Sequence, residues 1–280
     1  MNICRKAALC FAAVLLTVLL MSFTCAASEN IGEPIDLSVN NTPVAGAKLI
    51  AGTAYAPYRV LVNAIDPAAS FAWDAEKKAS VSSGTGVEIT AYAGKHYIEA
   101  NGRILYTELA KILNLDGVLY VPIRSIARAY TLACVWDGAN KAVLLSGEPT
   151  PIENGDTFYD ADVLYWLSRI ISAESRGEPF EGQIAVGNVV LNRTESGSFP
   201  DTVYGVIFDR KFGTQFTPAA TGSIYNDPTD SAVLAAKVAL EGVSLVDDAL
   251  FFCANYVNKG SWIAANRTYA ETIGNHIFYY

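Results

Sequence analysis

A pattern that occurs twice narrows most what this 280-residue chain folds into. "YAPYRVLVNAIDPAASFAWDAEKKASVSSG" runs from Tyr55 to Gly84, and "YVPIRSIARAYTLACVWDGANKAVLLSG" from Tyr120 to Gly147. Each copy holds Tyr-x-Pro-x-Arg, a short stretch with helical spacing, Trp-Asp, a turn, a lysine and an alternating strand. Pro57 and Arg59 match Pro122 and Arg124, and Trp73-Asp74 matches Trp136-Asp137, with two extra residues between arginine and tryptophan in the first copy. Repeated units bury their apolar faces against each other, and an Asp-x-x-x-Lys turn leads into a hairpin strand. A β-rich, internally repeated domain is therefore expected over residues 32–147. Trp73 and Trp136 are expected to pack in its core, with stacking on sugars as the alternative.

The pattern then changes. A polar stretch with two prolines reads as a linker over residues 148–157, and helical periodicity takes over in a second domain, residues 158–280. Asp160 is placed to cap a helix running to about Ser175. Leu167, Ile170 and Ile171 precede Glu174 by seven, four and three residues, so all four share one helix face. Glu174 thus prolongs an apolar stripe. Pro179 suits the first turn of a second helix reaching about Arg193. A short helix follows Pro200, and another covers about Asp230 to Glu241. "ALFFCANYV", "SWIAA" and "IGNHIFYY" read as strands, giving an α+β domain.

Composition closes several routes. With 28 acidic against 20 basic residues and a net charge of −8, the chain lacks the basic face that nucleic acid requires. Arg5 and Lys6 ahead of "AALCFAAVLLTVLLMSF" and the small residues "TCAAS" read as an export signal over residues 1–27; an uncleaved membrane anchor is the alternative. Cys4, Cys10 and Cys25 lie in that segment, and Cys134 and Cys253 are expected as free thiols, a disulfide between them being the other reading. Two histidines, His96 and His276, are too few for a zinc hydrolase site, so no metal and no cofactor is expected. No Gly-x-Ser-x-Gly turn and no phosphate-cradling glycine loop is present.

Carboxylate chemistry remains. Burial disfavours a charged carboxylate and raises its pKa, so Glu174 on an apolar face is suited to donate a proton near neutral pH. A structural glutamate bonded by Arg176 or by a backbone group fits the spacing equally well. Glu178 and Glu181 are read first as acidic residues complementing the dipole of the following helix, and second as a further catalytic carboxylate.

"AESRGEPFEGQIAVGNVVLNR", "FPDTVYGVIF", "GTQFTPAATGSIYNDPTD" and "SWIAANRTYAETIGNHIFYY" together resemble, in order and spacing, the SleB/CwlJ cell wall hydrolase family over about Tyr159 to Tyr280. The doubled N-terminal pattern resembles the copper amine oxidase N-terminal-like domain, here with a single histidine and no copper cluster. The first resemblance implies a lysozyme-related fold acting on the β-1,4 bond between N-acetylmuramic acid and N-acetylglucosamine, with Glu174 as the acid. It places Gln215, Phe216 and Thr217 beside the glycan cleft and carries over Asn275 and His276 with less defined roles. Phe216, Tyr225, Tyr256 and Trp262 are candidates for sugar contact, core packing being the competing role of each. A single stand-out carboxylate favours a lytic transglycosylase. A muramidase-type hydrolase, an inactive wall-glycan-binding protein and a wall peptidase or amidase are the rivals. Two departures stand out: Ala254-Asn255 replaces an Asn-Pro pair of many relatives, and the helical peptidoglycan-binding domain of the cortex-lytic enzymes is replaced by the repeated module.

Overall fold

The computed structural model describes residues 31–108, 110–211, 213–257 and 262–280; the export segment lies outside the described residues. The two sequence copies fold alike. In the first, strand Thr53–Pro57 enters helix α1 (Tyr58–Ile65) and then the hairpin Ser70–Asp74 and Ala79–Ser83. In the second, strand Val118–Pro122 enters α2 (Ile123–Ala129) and the hairpin Ala133–Asp137 and Ala142–Ser146. Pro57 and Pro122 make the same junction, with φ −58° and ψ 122° in one and φ −57° and ψ 124° in the other. Their strands pair antiparallel, Val121 opposite Ala56. Asp74 and Asp137 each accept two backbone N–H groups of the turn that follows, which is why an aspartate starts both turns.

The tryptophans correct the expectation. Trp73 is 54% and Trp136 43% exposed. Each stands one residue before its turn, at the end of a hairpin strand where little of the core remains to cover it. The core below is filled instead by Leu61, Val62, Ile89, Ile98, Val121 and Ile126, all fully buried. The stretch expected as a linker is packed as well: Ile152 is buried in this first core, and Asn154 accepts the Asp156 N–H at 2.9 Å to cap the short helix α3 (Gly155–Phe158).

In the second half, Asp160 accepts the Val163 N–H at 2.9 Å, and helix α4 covers Ala161–Ser175 as the spacing predicts. Pro179 precedes α5 (Phe180–Glu195). Then come α6 (Val203–Phe208), α7 (Thr217–Thr221), α8 (Asp230–Leu240) and α9 (Trp262–Asn266). The last corrects the strand expected at "SWIAA". Two alanines favour a helix, and the turn closes through Arg267 N–H to the Ile263 carbonyl at 2.9 Å. His276–Tyr279 is the central strand of a three-stranded sheet, between Phe251–Ala254 and Tyr269–Ile273. Helices α4, α5 and α8 form the second core. Gly187 of α5 permits their approach, because a Cβ there would meet the Ile171 Cδ1 at 2.9 Å and the Ala239 Cβ at 3.4 Å.

Pro34–Tyr280 is one compact unit, and the strand Arg103–Tyr106 contributes to both of its cores. In Arg103–Tyr106, Leu105 points into the first core while Ile104 and Tyr106 lie in the second, as alternation along a strand demands. Beside it the Glu241 carboxylate, with no exposed surface, takes two bonds from Arg103, at 2.8 and 2.7 Å. It also accepts from Arg128 at 3.3 Å and from the Tyr159 hydroxyl at 2.7 Å.

Candidate active site

Glu174 sits one residue before the end of α4, on the face that buries Leu167, Ile170 and Ile171 completely. Burial alone pushes its carboxyl up from the ordinary 4.5 to about 7. No described residue bonds to it or pairs with it. Arg176, the partner that the spacing offered, instead donates its Nε–H to the Ser172 carbonyl at 3.2 Å. Position at a helix C-terminus acts in the same direction, since the negative end of the dipole disfavours an anion. The result is a carboxylic acid that holds its proton close to neutrality and has no bond to break before giving it up.

The other acidic candidates are engaged. Glu178 accepts the Asn275 backbone N–H at 2.7 Å and its side-chain amide at 3.2 Å. Glu181 lies near the Tyr106 hydroxyl, whose pKa burial and this carboxylate both raise. No carboxylate contributes to the shift at Glu174. Glu178 therefore pins the turn of the C-terminal hairpin to the loop that follows Glu174. That turn needs glycine: Gly274 has φ 59°, and a Cβ there would collide with the Glu178 carboxylate and lie 2.7 Å from Pro179 Cδ. Gly274→Ala is expected to cost about 2 kcal/mol from the left-handed backbone alone, read by urea denaturation, and more if Asn275 is released from Glu178.

Through this turn several of the expected residues become contiguous. Asn275 leads into His276, whose buried ring lies 5.2 Å from Phe252, and Phe252 lies 6.3 Å from Phe216. Burial holds the His276 pKa below 6.5, with Glu178 opposing, so the ring is neutral at pH 7. Its Nδ1 has no partner among the described residues. Phe216 is itself buried in the second core, 5.1 Å beneath the Arg193 guanidinium, which is the competing role foreseen for each aromatic. Gln215 is half-buried and Thr217 exposed at the start of α7. Tyr225, Tyr256 and Trp262 are exposed. Tyr225 lies 6.1 Å from Trp166, in a cluster with Tyr165, Tyr204 and Phe208. Trp262 stands beside Arg267.

Two charged residues escaped sequence reasoning. Arg193 is buried, donates to the Leu250 carbonyl at 2.8 Å and is ringed by Phe199, Phe216 and Phe251. Glu241 joins the two halves. A glutamate closing the apolar run "AVLAAKVALE" was the available signal for it, the same signal that singled out Glu174. Among the described residues neither Cys134 nor Cys253 forms a disulfide, and both are half-buried.

Known families match both halves. Residues 177–279 match the Cell Wall Hydrolase family, and residues 38–145 match the copper amine oxidase N-terminal domain. The chain thus carries a cell wall hydrolase domain behind a copper amine oxidase N-terminal domain. It is 38% identical over 136 residues to the spore cortex-lytic enzyme of Oceanobacillus iheyensis, covering 48% of each chain. Over 129 residues it is 38% identical to that of Bacillus cereus ATCC 14579, covering 46% of this chain and 47% of the relative. The chain spans about half the length of these curated relatives. Among solved structures, the catalytic domain of the germination-specific lytic transglycosylase SleB from Bacillus anthracis is 36% identical. It is matched over 46% of this chain and 100% of that one, with a TM-score of 0.40. Glu174 lies three residues ahead of the Cell Wall Hydrolase match. The name of the other domain brings copper with it, and the residues present do not fit that metal. His96 Nδ1 is 2.9 Å from the Glu108 carbonyl oxygen, and among the described residues no group of three or more His, Cys, Asp and Glu is arranged to hold an ion.

Proposed function

We propose that this protein is an exported peptidoglycan-degrading enzyme that cleaves the β-1,4 bond from N-acetylmuramic acid to N-acetylglucosamine as a lytic transglycosylase. The observation that carries the reading is the isolated, desolvated Glu174 carboxyl with its pKa near 7. Its proton goes to the bridging oxygen as the muramic C1–O bond breaks, so the departing sugar leaves as a neutral alcohol. The resulting carboxylate takes the proton of the muramic 6-hydroxyl, whose oxygen closes on C1 as a 1,6-anhydro ring. One carboxylate returns to its starting state, and no water enters. A hydrolase would need a second carboxylate to activate water or to form an intermediate; Glu178, the nearest in sequence, is held by Asn275, and Glu181 lies near Tyr106. Similarity to spore cortex-lytic enzymes supports a wall substrate.

The acid must carry its proton at the start of each turnover. Since burial raises its pKa to about 7, the cleavage rate is expected to be high below pH 7 and to fall about tenfold per unit well above it. Release of soluble fragments from purified sacculi between pH 5 and 9 tests this, together with an assay for new reducing ends. Release with few reducing ends and a decline through about pH 7 is expected. Equal yields of reducing ends and fragments, or a rate that rises through pH 7, would contradict the assignment.

A further inference from the structure

A cavity of about 650 Å³ lies not at Glu174 but in the N-terminal half, where it opens between α2, the hairpin strand Ala133–Asp137 and the loop after Tyr106. Comparing the two repeat copies explains why it exists. Phe71 and Cys134 occupy the same position, two residues before the repeat-equivalent tryptophans. In the first copy the Phe71 ring fills the space, with the Arg59 guanidinium stacked 4.9 Å above it. In the second copy a small thiol stands there, and the ring's volume is left open beneath Arg124, the counterpart of Arg59.

The walls are chemically particular. Arg124 is exposed, reaches the Cys134 sulfur, and has no carboxylate partner among the described residues. Arg128, one turn further along α2, lines the same cavity and spends one nitrogen on Glu241; the first copy has Asn63 there. Trp136 adds a half-uncovered indole, and Glu108 also lines the cavity. A guanidinium fork matches a carboxylate or a phosphate in geometry and charge. An open indole face suits the apolar face of a pyranose. The volume is that of a small-ligand site.

We infer that this cavity binds an anionic wall saccharide, the acid group lying on Arg124 and the sugar ring on Trp136. The acid is either a free stem-peptide carboxylate of peptidoglycan or a phosphodiester of a wall polymer, groups that share the chemistry the cavity reads. The module then holds the enzyme on the wall, independently of the cleavage site. The inference rests on the proposed function only for its choice of a wall saccharide.

Retention of the Glu174→Gln chain on purified sacculi, as a dissociation constant, provides the test. Cys134→Phe gives the second copy the ring that fills the first, and Arg124→Ala removes an exposed cation without touching the core. Both are compared in the Glu174→Gln background, with circular dichroism melts to establish folding. Each is expected to weaken retention about tenfold, the loss of one charge-assisted contact. On sacculi stripped of phosphate polymers by hydrofluoric acid, unchanged retention of the Glu174→Gln chain assigns the carboxylate, and a fall to the level of Arg124→Ala assigns the phosphodiester; either supports the site. Failure of the Glu174→Gln chain to bind, or folded Arg124→Ala binding as tightly as it does, overturns it. Fragment release by the unmodified chain is measured in parallel, so a wall-bound protein that cuts nothing would sink the proposed function and leave this site standing.

Discussion

Replacing Glu174 with glutamine is expected to lower fragment release from sacculi at least about a hundredfold and to stabilise the protein above pH 7. The first effect follows from removing the only proton donor of the proposed mechanism. The second follows from linkage. The Glu174 pKa is about 7 in the folded protein against 4.5 for the free side chain, so between those values the folded state binds more protons than the unfolded one. Its stability therefore falls as pH rises from about 4.5 to about 7, and the full penalty persists above that. Glutamine has the same shape and no charge to desolvate. The stability gap in favour of Glu174→Gln should open over that range and reach up to about 3 kcal/mol at pH 8. Urea denaturation of both proteins at pH 4.5, 6 and 8 checks it; a gap that does not depend on pH would mean that Glu174 is solvated.

The second large effect lies at the junction of the halves. Glu241→Ala is expected to cost about 3–5 kcal/mol, the range for removing one partner of a buried ion pair. The loss leaves Arg103, 12% exposed in its side chain, with no carboxylate against it and takes away the acceptor of the Tyr159 hydroxyl. Chemical denaturation should show one cooperative transition in both proteins, shifted in the variant. Two separate transitions in the native protein would contradict a shared core. The same architecture warns against reading the role of the N-terminal half from its deletion. Removing residues 32–147 takes Arg103 from Glu241 and takes Ile104 and Tyr106 out of the second core.

Local signals in the sequence were reliable where a single residue dictates geometry. Asp160 as a cap, Pro179 before α5, and the paired Pro57 and Pro122 all lie where turn and cap chemistry require them. The half-buried position of Glu174 was legible because the helical spacing from Leu167 to Glu174 states a face. The exposure of Trp73 and Trp136 was not, because alternation gives a side of the strand but says nothing of how far the covering helices reach. The shared core was missed for a similar reason. Ile104, Leu105 and Tyr106 form an unbroken apolar run, the mark of a strand buried on both faces, yet periodicity cannot name the second layer. The cavity was in view once the copies were aligned, as Phe71 against Cys134, but its meaning needed the position of Arg124. Helix α9 shows the limit for short apolar runs, which read as strand or helix alike.

The most direct test of the central claim is mass spectrometry of the soluble muropeptides that the unmodified chain releases from purified sacculi, with Glu174→Gln as the control. Fragments ending in 1,6-anhydro-muramic acid, formed by the unmodified chain and absent with Glu174→Gln, are the predicted result. Fragments ending in ordinary reducing muramic acid, or anhydro ends formed equally by Glu174→Gln, would contradict it.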